Sequence, residues 1–410
     1  MVVMSCRAKH VTTSSIKETD KIHKFTLIVL NGPNMSFKFD FQDDDIDAEI
    51  DQQQISNHSD NVVASAANPL DEIESTIVQT GTIIAPEQVD LQALLASLKD
   101  VRFTFDIFQT PIEQVTLYRR EVFDVKHQLM QEENSFSSAE LEILMGDTNE
   151  DLKQFIYEGG LKSWECSIDL VDYLTSQNVQ AAIPETVVEI GCGTSLPSEH
   201  LFVEYLKKFC TPNLEASCAP GLKLVLTDYN KSVLRLVTVP NLVIAWAKTV
   251  YGSHWSDESV WGAELQSGFP TQEDELTLTQ ELIDNFNTFC SIYKIEICLV
   301  SGSWCRSFQN ILHSLLTKHG ENDDSTLVIS SETIYQPQTL PVITETLIDL
   351  QNSFRQLPNG KQAILVAAKD IYFGVGGSII DFTNYLDQKQ SQYEVIKVKA
   401  GLKRSIVIMK

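Results

Sequence analysis

Five short apolar runs, VVEI (187–190), KLVLTD (223–228), IEICLVSG (295–302), STLVISSE (325–332) and KQAILVAAK (361–369), are separated by stretches that carry apolar residues at helical spacing. Runs without polar alternation are buried on both faces, and their alternation with helices builds a parallel sheet covered on each side. Helices are expected over LPSEHLFVEYLKKF, around 231–249 and over TLPVITETLIDLQNSFRQ. YEVIKVKAGLKRSIVIMK reads as two strands joined by a short Gly-containing turn, which adds an antiparallel hairpin to the sheet edge. The fold class is therefore α/β. Ligands of such sheets sit beyond the carboxyl ends of the strands.

Those ends are rich in chemistry. Strand one finishes in Glu189 and the turn Gly191-Cys-Gly193, strand two in Thr227-Asp-Tyr-Asn230, strand three in Ser301-Gly-Ser-Trp304 and strand four in Ser330-Ser-Glu-Thr-Ile-Tyr335. A nicotinamide site would place a third glycine at position 196, where this chain has Leu196, so the turn counts against a dehydrogenase. Asp228 suits a carboxylate that accepts from two ribose hydroxyls, and Glu189, Gly191 and Gly193 are candidate contacts beside it. The separation of Gly191 from Asp228 exceeds the usual spacing of about 20 residues, and the polar loop FCTPNLEASCAPG accounts for the excess. Asp228 could instead cap the next helix, and Trp304 could belong to the core.

Composition bounds the partners. The chain has 410 residues and a formal net charge of -25, which disfavours direct binding to a phosphate backbone and favours a basic protein. No apolar run approaches the roughly 20 residues of a bilayer span, so no membrane is expected. Eight cysteines lack any CxxC pair, a pattern of reduced thiols in cytoplasm or nucleus with no metal site. Residues 35–100 hold fourteen Asp or Glu against two Lys, too little apolar surface to offset ordering entropy. The expected organisation is a mostly disordered acidic region over 1–95 that folding can dispense with, a strand and helix extension over 96–160, and the sheet domain over 161–410. Within the extension, VRFTFDIF (101–108) alternates like a strand and SSAELEILMG reads as a capped helix ending at Gly146.

From about residue 150 the chain resembles the histidine protein methyltransferases, S-adenosylmethionine enzymes with a seven-strand Rossmann-like sheet, related to a branch of protein-lysine methyltransferases. The resemblance is carried, in order, by EGGLKSWECSIDL, VVEIGCGTSLP, LTDYN, VPNLV, SGSW, SSETIY, YFGVGG and GLKRSIVI. It departs at Ser195, where many relatives carry glycine. The resemblance implies S-adenosyl-L-methionine as cofactor. It matches Ser163, Trp164, Glu165, Cys166 and Ser167 to the helix that packs over the cofactor's methionine end, and Gly191 to the glycine-turn contact. Thr227, Asp228 and Tyr229 match the ribose and adenine contacts, Gly302, Ser303 and Trp304 the adenine side, and Ser331 a contact at the tip of strand four. Glu332 and Tyr335 match the acid and aromatic facing the acceptor, and the glycines of YFGVGG an acceptor-side loop.

Methyl transfer from a sulfonium is an in-line displacement that needs alignment of a neutral nucleophile and stabilisation of the cation formed on it. An imidazole is mostly neutral near pH 7, whereas a lysine must first lose a proton, so a histidine enzyme needs less of a base. The resemblance implies as substrate a histidine of a large-subunit ribosomal protein, and a role in ribosome assembly or translation. Lysine methylation by the related branch, or a non-catalytic assembly factor that keeps the fold as a binding surface, are the alternatives.

Overall fold

The computed structural model describes residues 67–81, 83–131, 159–211, 214–252, 274–316, 325–355, 362–399 and 401–410. The acidic stretch before residue 67, the helix expected at SSAELEILMG and most of the polar insertion at 252–275 lie outside the described residues.

The apolar runs form strands β4 (Thr186–Ile190), β5 (Leu222–Asp228), β7 (Ile295–Ser301), β8 (Thr326–Ser331) and β9 (Gln362–Lys369). They pair in parallel, with Val188 opposite both Val225 and Val328. The expected hairpin is β10 (Tyr393–Lys397) with β11 (Arg404–Met409), and β11 lies between β9 and β10, antiparallel to both. The order β7-β5-β4-β8-β9-β11-β10 is the seven-strand sheet expected of the family.

Consecutive side chains along each strand point to opposite faces, so one run feeds two cores. Val187, Leu224, Leu226, Leu327 and Leu365 join a cluster with α4 (Glu165–Ser176), α5 (Leu196–Phe209) and α7 (Gln280–Ile292). Val188, Val225, Val328 and Val366 join another with α8 (Arg306–Leu316), α9 (Leu340–Arg355) and α10 (Ile379–Gln388). The first core also takes α6, which runs from Lys231–Val233 through a π-helical stretch, Leu234–Thr238, into Val239–Gly252. Pro240 lacks an N–H to donate, and the wider turn ahead of it accommodates that gap. By length and composition Lys231–Val250 could cross a bilayer, contrary to the sequence expectation, but 83% of its most apolar window is buried, as in the central helix of a folded domain.

Two corrections concern the region before residue 96. Residues 69–80 form α1 (Pro69–Thr80), capped by the Asn68 side chain, which accepts from Leu70 N–H, and ended by Gly81 in the left-handed region. Residues 87–89 form β1 (Glu87–Val89), an eighth strand antiparallel to the outer edge of β7, and α2 (Leu91–Ser97) follows, with Leu94 and Leu95 buried. Acidic composition did not prevent ordering because the few apolar residues are well placed. Leu70 is fully buried, Ile73 and Ile77 pack against the second core, and the acids are used: Arg306 donates to Asp71, and Glu74 accepts from the N–H and hydroxyl of Ser307 at the start of α8. Finally, β2 (Arg102–Gln109) forms a small antiparallel sheet with β3 (Thr116–Arg120) and β6 (Glu275–Thr277), so VRFTFDIF is the strand expected and the far end of the polar insertion returns to pair with it.

Candidate functional site

The turn after β4 is held by glycines where nothing else fits. Gly191 has φ +68°, and a Cβ there would meet Thr333 Cγ2 at 2.6 Å; Gly193 has φ +49° and packs on the Gly160 carbonyl. Ser195, the departure from the family pattern, adopts the same left-handed conformation at φ +58° and donates from its N–H to the Cys192 carbonyl at 2.7 Å. The turn is kept at the cost of some strain. Behind it, Thr238 on the π-helical stretch donates to the Gly193 carbonyl at 2.6 Å, and Asn241 of VPNLV donates to the Thr194 carbonyl while accepting from Arg120 N–H. That motif is a brace for the glycine turn.

The strand tips converge on one cavity. It is lined by Gly191, Gly193, Asp228 and Tyr229, by Ser303 and Trp304, and by Ser331, Glu332 and Tyr335, together with Trp164 and Ser167. Asp228 does more than cap a helix. Its Oδ2 accepts from Gly193 N–H and its Oδ1 from Asn230 N–H, both at 3.0 Å, which fixes the carboxylate at the cavity wall. Gly160 keeps that carboxylate close, since a Cβ there would lie 3.0 Å from Asp228 Oδ2. The Ser303 hydroxyl is buried at the wall and has no hydrogen-bond partner among the described residues, the condition of a group whose partner is a ligand. The Trp164 indole is oriented by donation to the Gly159 carbonyl at 3.2 Å.

Six of the residues marked from the sequence do not line this cavity. Glu189 is fully buried beneath the turn, where it accepts from the Ser195 hydroxyl and from the N–H and hydroxyl of Ser198; it anchors the first turn of α5, and burial pushes its carboxyl up to about 7. Thr227 is equally buried and donates to the Glu189 carbonyl. At Gly302, φ is +109° and a Cβ would strike Ala85 O and Pro86 Cα at 2.6 Å, so this glycine admits the segment leading into β1. Ser163 bonds the Thr194 hydroxyl at 2.9 Å. Cys166 is buried, its thiol pushed up by burial and by Glu332, and its N–H donates to Glu332 Oε1 at 3.4 Å. Glu165 turns outward to Lys369 at 3.1 Å.

Lys369, at the end of β9, is the residue the sequence reading passed over. Its ammonium lies 4.0 Å from Glu332 and 5.5 Å from the centre of the Trp164 ring. Burial alone would lower its pKa, but Glu332 and Glu165 overcome that and hold it above the ordinary lysine value. Glu332 has φ +57° and its N–H donates to the Ala367 carbonyl, which ties the acid to β9. Lys369 lines a second cavity, which shares Trp164, Glu332 and Tyr335 with the first. The signal was available: the end of the fifth strand lies on the same side of the sheet as the four inspected. Gly160 and Thr333 lie within EGGLKSWECSIDL and SSETIY and were not singled out, while Ile73 on α1, which also lines the first cavity, carries no motif.

No family model matches the chain. Among curated proteins, it is 48% identical over 393 residues to histidine protein methyltransferase 1 of Saccharomyces cerevisiae, covering 91% of this chain and 98% of that one. It is 35% identical over 277 residues to histidine protein methyltransferase 1 of Schizosaccharomyces pombe, covering 67% and 69%. With the mouse homolog it shares 29% identity over 270 residues, 64% of this chain and 59% of that one. Matches among solved structures include a magnesium protoporphyrin IX methyltransferase of Synechocystis at 10% identity, with 60% and 82% covered and a TM-score of 0.28, too distant to carry an argument. On the strength of the two yeast relatives, the chain belongs to the histidine protein methyltransferase family.

Proposed function

We propose that this chain transfers a methyl group from S-adenosylmethionine to a histidine imidazole of a large-subunit ribosomal protein, in the cytoplasm and nucleus, in support of ribosome assembly and translation. The observation that carries the proposal is the convergence of Asp228, the glycine turn, Ser303, Glu332 and Tyr335 on one cavity in a chain of this family. When bound, S-adenosylmethionine supplies an electrophilic methyl on a sulfonium. Asp228 is suited to accept from the ribose hydroxyls, the side-chain-free turn at Gly191 and Gly193 to let the backbone come close, and Ser303 with Trp304 to take the base. Glu332 and Tyr335 line both cavities, which suits a position between cofactor and acceptor. There the carboxylate can accept from the remote ring N–H of an imidazole and, with the aromatic face, stabilise the cation that develops. Lys369 beside Glu332 tempers that negative charge, which suits a neutral imidazole better than a lysine ammonium. The net charge of -25 complements a basic ribosomal protein.

The test is incubation with labelled cofactor and salt-extracted large-subunit proteins from cells lacking the enzyme, followed by hydrolysis to amino acids. Methylhistidine is expected, with kcat/KM rising with pH to a plateau set by an acceptor pKa of about 6.5 when unperturbed. Methyllysine, or acceleration that continues above about pH 8 as lysine deprotonates, would favour the related lysine-modifying branch.

A further inference from the structure

The second cavity has an apolar rim that the chemistry of methyl transfer leaves unused. Among the described residues, Phe373 is 85% exposed, Leu402 67% and Ile371 52%, with Val375 beside them, and all four line this one cavity. Exposed apolar side chains scattered singly are ordinary, whereas four gathered around one opening mark a binding surface. They come from two separate segments, the loop after β9 and the turn of the β10–β11 hairpin, so the clustering is a product of the fold.

The loop is braced from below. Ile371 pairs with Ser378, Tyr372 N–H donates to the Gly377 carbonyl, and the N–H groups of Val375 and Gly376 both donate to the Tyr372 carbonyl. Gly377 N–H donates to the Tyr335 carbonyl, and a Cβ on Gly377 would lie 2.3 Å from the Ile334 carbonyl oxygen, so the loop seats directly on the segment that carries Glu332 and Tyr335. Tyr372 is buried with its ring edge-on to Tyr335 at 6.4 Å. A phenylalanine held outward by such a loop loses little freedom when a partner covers it, which is how aromatic anchors carry binding energy.

We propose that the Phe373 and Leu402 rim docks the protein substrate, gripping apolar or aromatic residues next to the target histidine in an extended segment. The occupant follows from continuity: this cavity shares Trp164, Glu332 and Tyr335 with the first, so a chain lying on the rim is placed to deliver a side chain to the reacting centre. The inference rests on the reading above that the acceptor is a protein histidine.

The experiment compares wild type, Phe373→Ser/Leu402→Ser and Phe123→Ser, the last removing an equally apolar, 70% exposed ring on α3 (Val122–Gln131) away from both cavities. Methylhistidine formation is followed against the concentration of salt-extracted large-subunit proteins, with cofactor affinity measured by calorimetry. The double variant should need about tenfold more protein for half-maximal rate, the scale of losing a buried aromatic anchor, with its plateau rate and cofactor affinity within twofold of wild type and Phe123→Ser unchanged. Superimposable curves for the double variant and wild type would overturn the docking surface, as would a lower plateau without a shift, or the same shift in Phe123→Ser. If wild type binds cofactor but forms no methylhistidine, the reading of the acceptor fails and takes the inference with it.

Discussion

Leu70→Ala asks whether α1 belongs to the catalytic domain. Leu70 is fully buried, and removing a buried leucine side chain costs about 2–5 kcal/mol when the surroundings do not collapse into the space. Beyond Leu70, α1 is held by the half-buried Ile73 and Ile77, the Glu74 contact with Ser307 and an exposed ion pair from Asp71 to Arg306. The loss is therefore capped by the free energy that docks this one helix. If the substitution exceeds it, α1 leaves α8 and α9 while the sheet stays folded. In that case Ile73 also loses its fixed place at the first cavity. Urea unfolding and calorimetric titration with S-adenosylmethionine separate the two outcomes. Global destabilisation of about 2 kcal/mol moves the urea midpoint by about 1 M. Local undocking leaves the midpoint in place but weakens cofactor binding and opens residues 67–81 to proteolysis. If midpoint, affinity and proteolysis all match wild type, α1 is not packed as described.

Three further outcomes are expected. Asp228→Ala should weaken cofactor binding by at least about tenfold, since charge-assisted hydrogen bonds are worth about 1.5–3 kcal/mol each; calorimetry showing parental affinity would remove Asp228 from the site. Gly302→Ala should cost about 2–4 kcal/mol from left-handed strain plus collision with Ala85 and Pro86, read as a lowered thermal midpoint, and a variant that melts like wild type would contradict the close approach. Burial raises the Glu189 carboxyl from an unfolded value of 4.5 to about 7, so the folded state holds a proton that the unfolded chain has released. Stability should therefore fall as pH rises from about 4.5 to about 7, by on the order of 3 kcal/mol, and level off above. Glu189→Gln should remove that fall, and urea midpoints for variant and wild type that run parallel between pH 5 and 7.5 would refute it.

The sheet was legible because burial on both faces leaves an unambiguous apolar run: KLVLTD became the interior of β5, and LPSEHLFVEYLKKF became α5 without displacement at either end. What stayed hidden depends on partners distant in sequence. β1 is three residues, EQV, with no pattern of its own, and exists because β7 has an open edge. α1 hides in acidic sequence because its apolar residues are few and become a face only against α8 and α9. At the site, the convergence of Asp228, Ser303 and Glu332 follows from strand ends alone. Glu189 misled because an acid next to a glycine turn can face the ligand or turn beneath it, and Ser195 and Ser198, six and nine residues on, decide the matter.

The position of β11 has a consequence for how the molecule comes into being. β11 emerges after both of its neighbours yet lies between them, pairing with β9 through Arg404–Met409 and with β10 along its whole length. During synthesis, β10 has no native neighbour until β11 arrives, and the edge of β9 stays open over the same interval. Open strand edges are templates for mispairing, and contacts that close last leave a nascent chain exposed for longest. The loop bearing Phe373 and the hairpin turn bearing Leu402 gain their fixed separation only when β11 slots in, so the rim between them is among the last surfaces of the domain to be completed.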